Sequence, residues 1–132
     1  MKTILVCNQK GGVGKSLVAD EIAFSFERSG IPVSFYDLDA QGGTLHRTQE
    51  ADGAEVAVVD TPGALQEALS EWLREADVVV IPTRTTSRDI EPLMRMRKAV
   101  FKHSRAKIVY VMNGWNRFKA SRDFMEWFEG LA

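Results

Sequence analysis

The sequence predicts an α/β protein in which a doubly wound, mostly parallel sheet lies between two layers of helices. Short apolar runs alternate along the chain with segments of helical periodicity. Runs such as Val78-Val79-Val80-Ile81 are apolar on both faces, as expected for a parallel sheet that helices cover on each side. A glycine-rich turn also joins the first apolar run to the first helical segment. These three observations together predict the three-layer α/β class.

The predicted elements follow one another in a regular order. The apolar runs predict strands at 3–7, 33–36, 56–59, 78–81 and 108–112. The helical patterns predict helices at 17–28, 64–75, 89–103 and 121–130. Gly30 is placed to end the first helix, and Pro32 to begin the next strand. With right-handed crossovers between parallel strands, this order gives a single domain over 1–132.

Length and composition agree with that expectation. The 132 residues are 45% apolar, which is enough to bury a core. No apolar run reaches transmembrane length, and the chain opens into a strand, not a signal peptide, so we expect a cytoplasmic protein. The single cysteine, Cys7, is expected to be a small buried residue, because one cysteine cannot form an internal disulfide.

A phosphate-binding loop is predicted at Gln9 to Ser16, which read QKGGVGKS between the first strand and the first helix. Backbone N–H groups of Gly11, Gly12, Val13 and Gly14 can surround a polyphosphate at the positive end of the helix dipole, beside Leu17. Lys15 can reach the β- and γ-phosphates, and the Ser16 hydroxyl can bind Mg²⁺. The sequence therefore predicts binding of a nucleoside triphosphate.

The extra lysine, Lys10, makes this loop resemble the deviant Walker A motif of the ParA/MinD family of P-loop ATPases. Three further stretches resemble that family: YDLDAQG at 36–42, with Ala40 in place of the usual proline, VVDTPG at 58–63, and VIPTR at 80–84. The resemblance runs from residue 1 to about Asn113. The family includes plasmid and chromosome partition proteins. It implies ATP or ADP and Mg²⁺ as ligands.

The resemblance also implies roles for individual residues. Lys10, Lys15 and Asp39 would be catalytic. Asp39 would orient the attacking water, and Lys10 would reach the phosphates of a partner subunit. Asp60, at the end of a predicted strand, would hold Mg²⁺ together with Ser16, and Asp37 would join the outer coordination sphere of the metal. Pro62 and Gly63 would sense the γ-phosphate. Asp60 and Asp37 could instead simply end their strands.

Asn113 ends the last predicted strand and is followed by Gly114. By resemblance its amide would pair with the adenine edge, although an asparagine before glycine also favours a plain turn. Thr83 and Arg84, at the exit of the preceding strand, would border the same site. His46 and His103 lack metal-ligand spacing and are expected to be surface residues.

Two departures from the family pattern are visible. Only twenty residues separate Asp39 from Asp60, so any helix between them must be short or absent. The chain also stops after one helical pattern beyond Asn113, where family members continue, so the fold is expected to be shortened at the C-terminus. A compact variant and a truncated chain both fit this ending.

Charge is unevenly distributed. Residues 84–122 contain eleven Lys or Arg against two Asp or Glu, whereas 1–83 contain six against thirteen. Arg84, Arg95, Lys98 and Lys102 in this basic block are candidates for sequence-independent contacts with DNA phosphates. A solvated helix face is the alternative.

The segment 118–131 carries Phe124, Trp127, Phe128 and Leu131 at helical spacing. This pattern predicts a helix packed on the sheet. A membrane-surface helix is the alternative, and the acids Asp123, Glu126 and Glu129 argue against it.

The sequence thus predicts a ParA-like ATPase that dimerises with ATP, binds DNA non-specifically on the nucleoid, and responds to a ParB-like centromere-binding partner. Two rivals remain open. One is a ligase or metallochaperone-type ATPase of the same superfamily. The other is a nucleotide-binding regulator without turnover.

Overall fold

The computed structural model describes residues 1–8, 14–39, 43–61, 67–115 and 118–131. Strands and helices alternate through these residues almost as the periodicity predicts. In chain order they are β1 (Lys2–Val6), α1 (Lys15–Arg28), β2 (Val33–Asp37), β3 (Val56–Asp60), α2 (Glu67–Glu75), β4 (Val78–Arg84), α3 (Ile90–His103), β5 (Lys107–Asn113) and α4 (Lys119–Glu129). A 3₁₀ turn at Ser87–Asp89 leads into α3.

The five strands form one parallel sheet in the order β2-β3-β1-β4-β5. Asp60, the last residue of β3, is in register with Val6 of β1 and with Asp37 of β2. Arg84 of β4 is likewise in register with Asn113 of β5. Polar residues that are far apart in the sequence therefore meet at the carboxyl edge of the sheet, where ligands bind in open α/β sheets.

Helices cover both faces of the sheet, which confirms the three-layer prediction. Ile4 and Val6 of β1 point into a cluster with Ala19 and Ala23 of α1. The intervening Leu5 and the following Cys7 join a second cluster on the opposite face, which includes the following buried residues of α2, α3 and α4: Leu69, Leu73, Leu93, Met96, Val100 and Phe124. Burial on both faces explains why the strands read as continuous apolar runs.

The connection from β2 to β3 contains no helix within its described residues, 43–55, as its short length predicts. Instead, Phe35 and Gln49 form an isolated antiparallel bridge, with N–O distances of 2.8 and 2.9 Å. The His46 ring packs between the rings of Phe24 in α1 and Phe35 in β2. The connection therefore lies on the α1 side of the sheet.

The last helix packs against the core, as its apolar stripe predicts. Phe124 is 3% exposed, and the ring of Phe128 meets Tyr110 of β5 edge-on at 4.9 Å. Among the described helices, none combines the length and apolar character needed to cross a bilayer.

Candidate functional site

Lys15 lies at the centre of a charged cluster at the N-terminus of α1. It is the first residue of α1 and is only 8% exposed. Its ammonium bonds to the Asp60 carboxylate and lies 3.0 Å from Oδ2 of Asp39. Asp60 is fully buried at the end of β3. The register of the sheet and the start of α1 together bring these three sequence-predicted residues into contact.

The Ser16 hydroxyl donates to Oδ2 of Asp60 at 3.0 Å. Burial raises the pKa of the Asp60 carboxyl above its usual range, although the hydrogen bonds from Lys15 and Ser16 act in the opposite direction. A buried carboxylate beside a hydroxyl supplies the hard oxygen ligands that Mg²⁺ prefers. The described residues contain no group of three or more acidic, histidine or cysteine side chains that could hold a metal. Water and phosphate oxygens would complete such a site.

Asp37 lies next to Asp60 in register, and its carboxylate contacts the turn that follows β2. The Asp39 amide donates to Asp37 Oδ1 at 3.3 Å, and Oγ1 of Thr44 lies 3.0 Å from Asp37 Oδ2. Asp37 therefore orders the backbone around Asp39. Its predicted place in the outer sphere of the metal stays a prediction.

Asn113 approaches the end of the phosphate-binding loop. Gly14 has a φ of +87°, and a Cβ built on it would lie 2.5 Å from Nδ2 of Asn113. Both the left-handed conformation and the close amide require glycine here. The residue predicted to read adenine thus lies against the N-terminus of α1.

Part of the predicted site falls outside the described residues. These are Lys10, Gly11, Gly12 and Val13 of the loop, and Pro62 and Gly63 after β3. Leu17, predicted to lie beside the nucleotide, is 63% exposed on the first turn of α1.

The residues predicted to contact DNA divide between two places. Arg95, Lys98 and Lys102 lie on one exposed face of α3, where Arg95 Nη2 is 3.8 Å from Glu91 Oε1. Arg84 instead lies at the carboxyl end of β4, opposite Asn113. Arg84 therefore does not share the exposed face of α3 with the other three residues, although all four belong to one basic block of the sequence.

The expectation of a surface position is wrong for His46, whose side chain is 7% exposed. Its two ring nitrogens each lie 2.8 Å from a carboxylate oxygen, one of Asp20 and one of Glu27. Asp20 and Glu27 lie seven residues apart on one face of α1, but nothing local in the sequence indicates that His46 lies between them. Asn8 was also missed. Its amide donates to the Pro82 carbonyl at 2.7 Å, which joins the ends of β1 and β4.

Comparison with known proteins agrees with the geometry. Residues 4–131 match the model of the CobQ/CobB/MinD/ParA nucleotide-binding domain. The chain is 42% identical to Protein IncC of Escherichia coli over 50 residues, which is 38% of this chain and 14% of that protein. It is 27% identical to Protein ParA of Rhizobium radiobacter over 115 residues, covering 67% of this chain. The chain spans only about half of that second relative, 51% of its length.

Solved structures show the same fold at low sequence identity. Apo McdA from Cyanothece superposes with a TM-score of 0.83 at 15% identity, covering 100% of this chain and 82% of that one. Cobyrinic acid a,c-diamide synthase from Mycobacterium smegmatis, with ADP and magnesium bound, gives 0.81 at 17% identity with the same coverages. A plasmid partition protein from Borrelia burgdorferi gives 0.75 at 16%, covering 97% and 85%. With its parallel sheet and its family match in agreement, the chain belongs to the CobQ/CobB/MinD/ParA family of nucleotide-binding domains.

Proposed function

We propose that this chain is a partition-type ATPase, which hydrolyses ATP slowly, dimerises when ATP is bound and then binds DNA without sequence preference. The observation that carries the proposal is the buried Lys15 ammonium between Asp39 and Asp60 at the end of the glycine-rich loop. A cation held this way beside a helix N-terminus suits a polyphosphate. Partition proteins among the relatives and structural neighbours support the partition branch.

Nucleotide binding requires Lys15 to exchange its carboxylate partners for phosphate oxygens. The exchange leaves Asp60 buried without its cation, which is unfavourable unless another positive charge replaces it. Mg²⁺, held by Ser16 and through water by Asp60, would supply that charge and neutralise the phosphates. ATP binding should accordingly be much weaker in the presence of a chelator.

Asp39 is the residue placed to orient the attacking water. It is 17% exposed, so water reaches it, and it faces the Lys15 ammonium at 3.0 Å. Phosphoryl transfer to water depends mainly on positioned charge and an oriented nucleophile. Asp39→Ala should therefore keep ATP bound and stop its hydrolysis.

Dimerisation is proposed to depend on Lys10, which the family resemblance places on the phosphates of the opposing subunit. Opposed triphosphates repel each other unless cations from both subunits neutralise them. Lys10→Ala should then bind ATP as a monomer. We infer from the same resemblance a ParB-like partner that stimulates turnover, and a cytoplasmic protein that joins the nucleoid when ATP is bound.

DNA binding is proposed for the exposed face of α3. Arg95, Lys98 and Lys102 follow one another at intervals of three and four residues, so their side chains lie on one side of the helix. A dimer doubles these contacts from three to six. Affinity governed by about six phosphate contacts falls by about 10³-fold between roughly 50 and 200 mM salt.

The experiment combines sedimentation with a gel-shift titration in the presence and absence of a non-hydrolysable ATP analogue. We expect a dimer and DNA retention only with the analogue, and no retention by Arg95→Glu/Lys98→Glu/Lys102→Glu. A matched triple variant with the same charge change, Lys2→Glu/Arg28→Glu/Arg74→Glu, should retain DNA because its residues lie outside α3. Equal retention by both triple variants would show that the α3 face makes no DNA contact.

The rival hypothesis of a metallochaperone-type ATPase has some support among the relatives. The chain is 38% identical over 58 residues to the cytosolic Fe-S cluster assembly factor nubp2 of Xenopus tropicalis, a match covering 22% of that protein. The chain has one cysteine, Cys7, and it is buried. It cannot by itself supply the several thiolates that hold an iron–sulfur cluster. A regulator that binds ATP without turnover is distinguished by steady-state phosphate release.

A further inference from the structure

We propose that Asp20 and His46 are positioning residues, which fix residues 43–46, after β2, against α1 and thereby hold Asp39 beside Lys15. The effect on hydrolysis rests on the ATPase function proposed above. The positioning itself is a property of the protein without nucleotide.

Asp20 fixes the backbone of this segment to α1. Its carboxylate accepts hydrogen bonds from the amides of Leu45 at 2.7 Å and His46 at 3.0 Å. Asp20 is 3% exposed and lies on the same helix as Lys15. Hydrogen bonds from amides to a buried carboxylate are charge-assisted, so they are stronger than those between neutral groups.

The His46 side chain completes this attachment. Its Nδ1 lies 2.8 Å from Asp20, its Nε2 lies 2.8 Å from Glu27, and its ring packs on Phe24 and Phe35. Both nitrogens can donate only when the imidazole is protonated. Burial lowers the pKa of His46, but the hydrogen bonds and charges of Asp20 and Glu27 outweigh it and raise the pKa above its usual value. Among the residues that the structure describes, the titratable groups in contact with the His46 ring are these two acids of α1. The contact from β2 is the Phe35 ring.

A series of contacts connects the bonds of Asp20 and His46 to Asp39. The His46 carbonyl oxygen lies 2.8 Å from Thr44 Oγ1, which lies 3.0 Å from Oδ2 of Asp37. Oδ1 of Asp37 accepts from the Asp39 amide. Asp39 in turn contacts Lys15, which lies five residues before Asp20 on α1. The series of contacts therefore begins and ends on α1.

Gly43, which precedes Thr44, lies close to the first turn of α1. Its φ is +116°, and a Cβ built on it would lie 3.2 Å from Oγ of Ser16. The segment attached by Asp20 and His46 therefore passes directly over a residue proposed to hold Mg²⁺. Releasing it would move Asp39 relative to Lys15.

The expected result is a selective loss of turnover. A displacement of about 1 Å in a catalytic group can cost about 10²-fold in rate. We expect kcat to fall by about 10- to 100-fold on this basis. Affinity for the ATP analogue should change by less than about threefold, because the phosphate contacts remain. A residue that served stability alone would not separate kcat from affinity in this way.

The test uses His46→Phe, which keeps an aromatic ring against Phe24 and Phe35 but removes both hydrogen bonds. Asp20→Asn is the gentler second variant, because it keeps the size and one acceptor. His103→Phe, near the end of α3, is the matched control. Hydrogen exchange at the Asp39, Leu45 and His46 amides is measured without nucleotide. The kcat for ATP hydrolysis and the affinity for the ATP analogue are then measured for the same variants.

Faster exchange at all three amides in His46→Phe and Asp20→Asn, with lower kcat and retained affinity, would support the proposal. Unchanged exchange at Asp39 in Asp20→Asn would overturn it. An unchanged kcat in a protein whose Asp39 amide has lost protection would overturn it too. Absence of hydrolysis by the wild type would refute the proposed ATPase instead, and exchange at Asp39 would then decide the positioning alone.

Discussion

Replacing Lys15 should destabilise the protein even without nucleotide, because the lysine neutralises a fully buried carboxylate. In Lys15→Met the apolar stem is retained and Asp60 loses its cation. Removing one partner of a buried ion pair costs about 3–5 kcal/mol. We expect about 3 kcal/mol near neutral pH, at the lower end of that range, because Asp39 is partly solvated and Ser16 still donates to Asp60.

The destabilisation caused by Lys15→Met should become smaller at acid pH. The pKa of Asp60 is already raised by burial, and removing Lys15 raises it further. A carboxyl with a raised pKa in the folded state takes up its proton there first, so its destabilising effect disappears as pH falls through that pKa. Each pH unit below the folded pKa recovers at most about 1.4 kcal/mol.

Urea denaturation of a double-mutant cycle measures the interaction. The cycle contains Lys15→Met, Asp60→Asn and the double variant, with exposed Lys98→Met as a control expected to stay within about 0.5 kcal/mol. We expect the double variant to be more stable than the sum of the single effects by at least about 1.5 kcal/mol. Additivity within about 0.5 kcal/mol would refute the buried pair as the source of the cost.

Three other results are expected. Asp39→Ala should bind the ATP analogue with near wild-type affinity and release no phosphate in a steady-state assay, and a normal rate would remove Asp39 from the mechanism. Because the pKa of His46 is raised, its contribution to stability should be complete below the ordinary histidine value and be lost as pH rises through the folded pKa; urea titrations of His46→Gln should lack this dependence. Cys7 is fully buried with its pKa raised to about 12, so a thiol reagent should modify it only after denaturation, and rapid reaction in the native protein would contradict its burial.

The elements were predictable because their periodicity has a direct structural cause. Val78 to Ile81 are apolar on both faces since β4 lies within the sheet between two helical layers. The ends of the strands were harder to predict. β4 continues through Pro82 to Arg84, because the residues after its apolar run still pair with β5. Four residues of the candidate site were identified from motifs. The start of α1, the end of β3 and the turn after β2 bring them together: Lys15, Ser16, Asp39 and Asp60.

The attachment of His46 could not be predicted from the sequence. It depends on the β2–β3 connection lying on the α1 side, which is a tertiary property without a local signal. Asp20 and Glu27 read as polar positions of an amphipathic helix, and only the fold shows that His46 lies between them. The position of Arg84 away from the α3 face was unpredictable for the same reason, because it depends on where β4 and α3 lie in the fold.

Nucleotide binding by Lys15 is measured by calorimetric titration of the wild type and Lys15→Ala with Mg²⁺ and a non-hydrolysable ATP analogue. We expect one nucleotide per wild-type chain with a dissociation constant below about 1 mM, a binding free energy stronger than about −4 kcal/mol. Lys15→Ala should give no binding heat while remaining folded by circular dichroism. A wild type without binding, or a folded Lys15→Ala of equal affinity, would contradict the assignment of this site to a nucleotide.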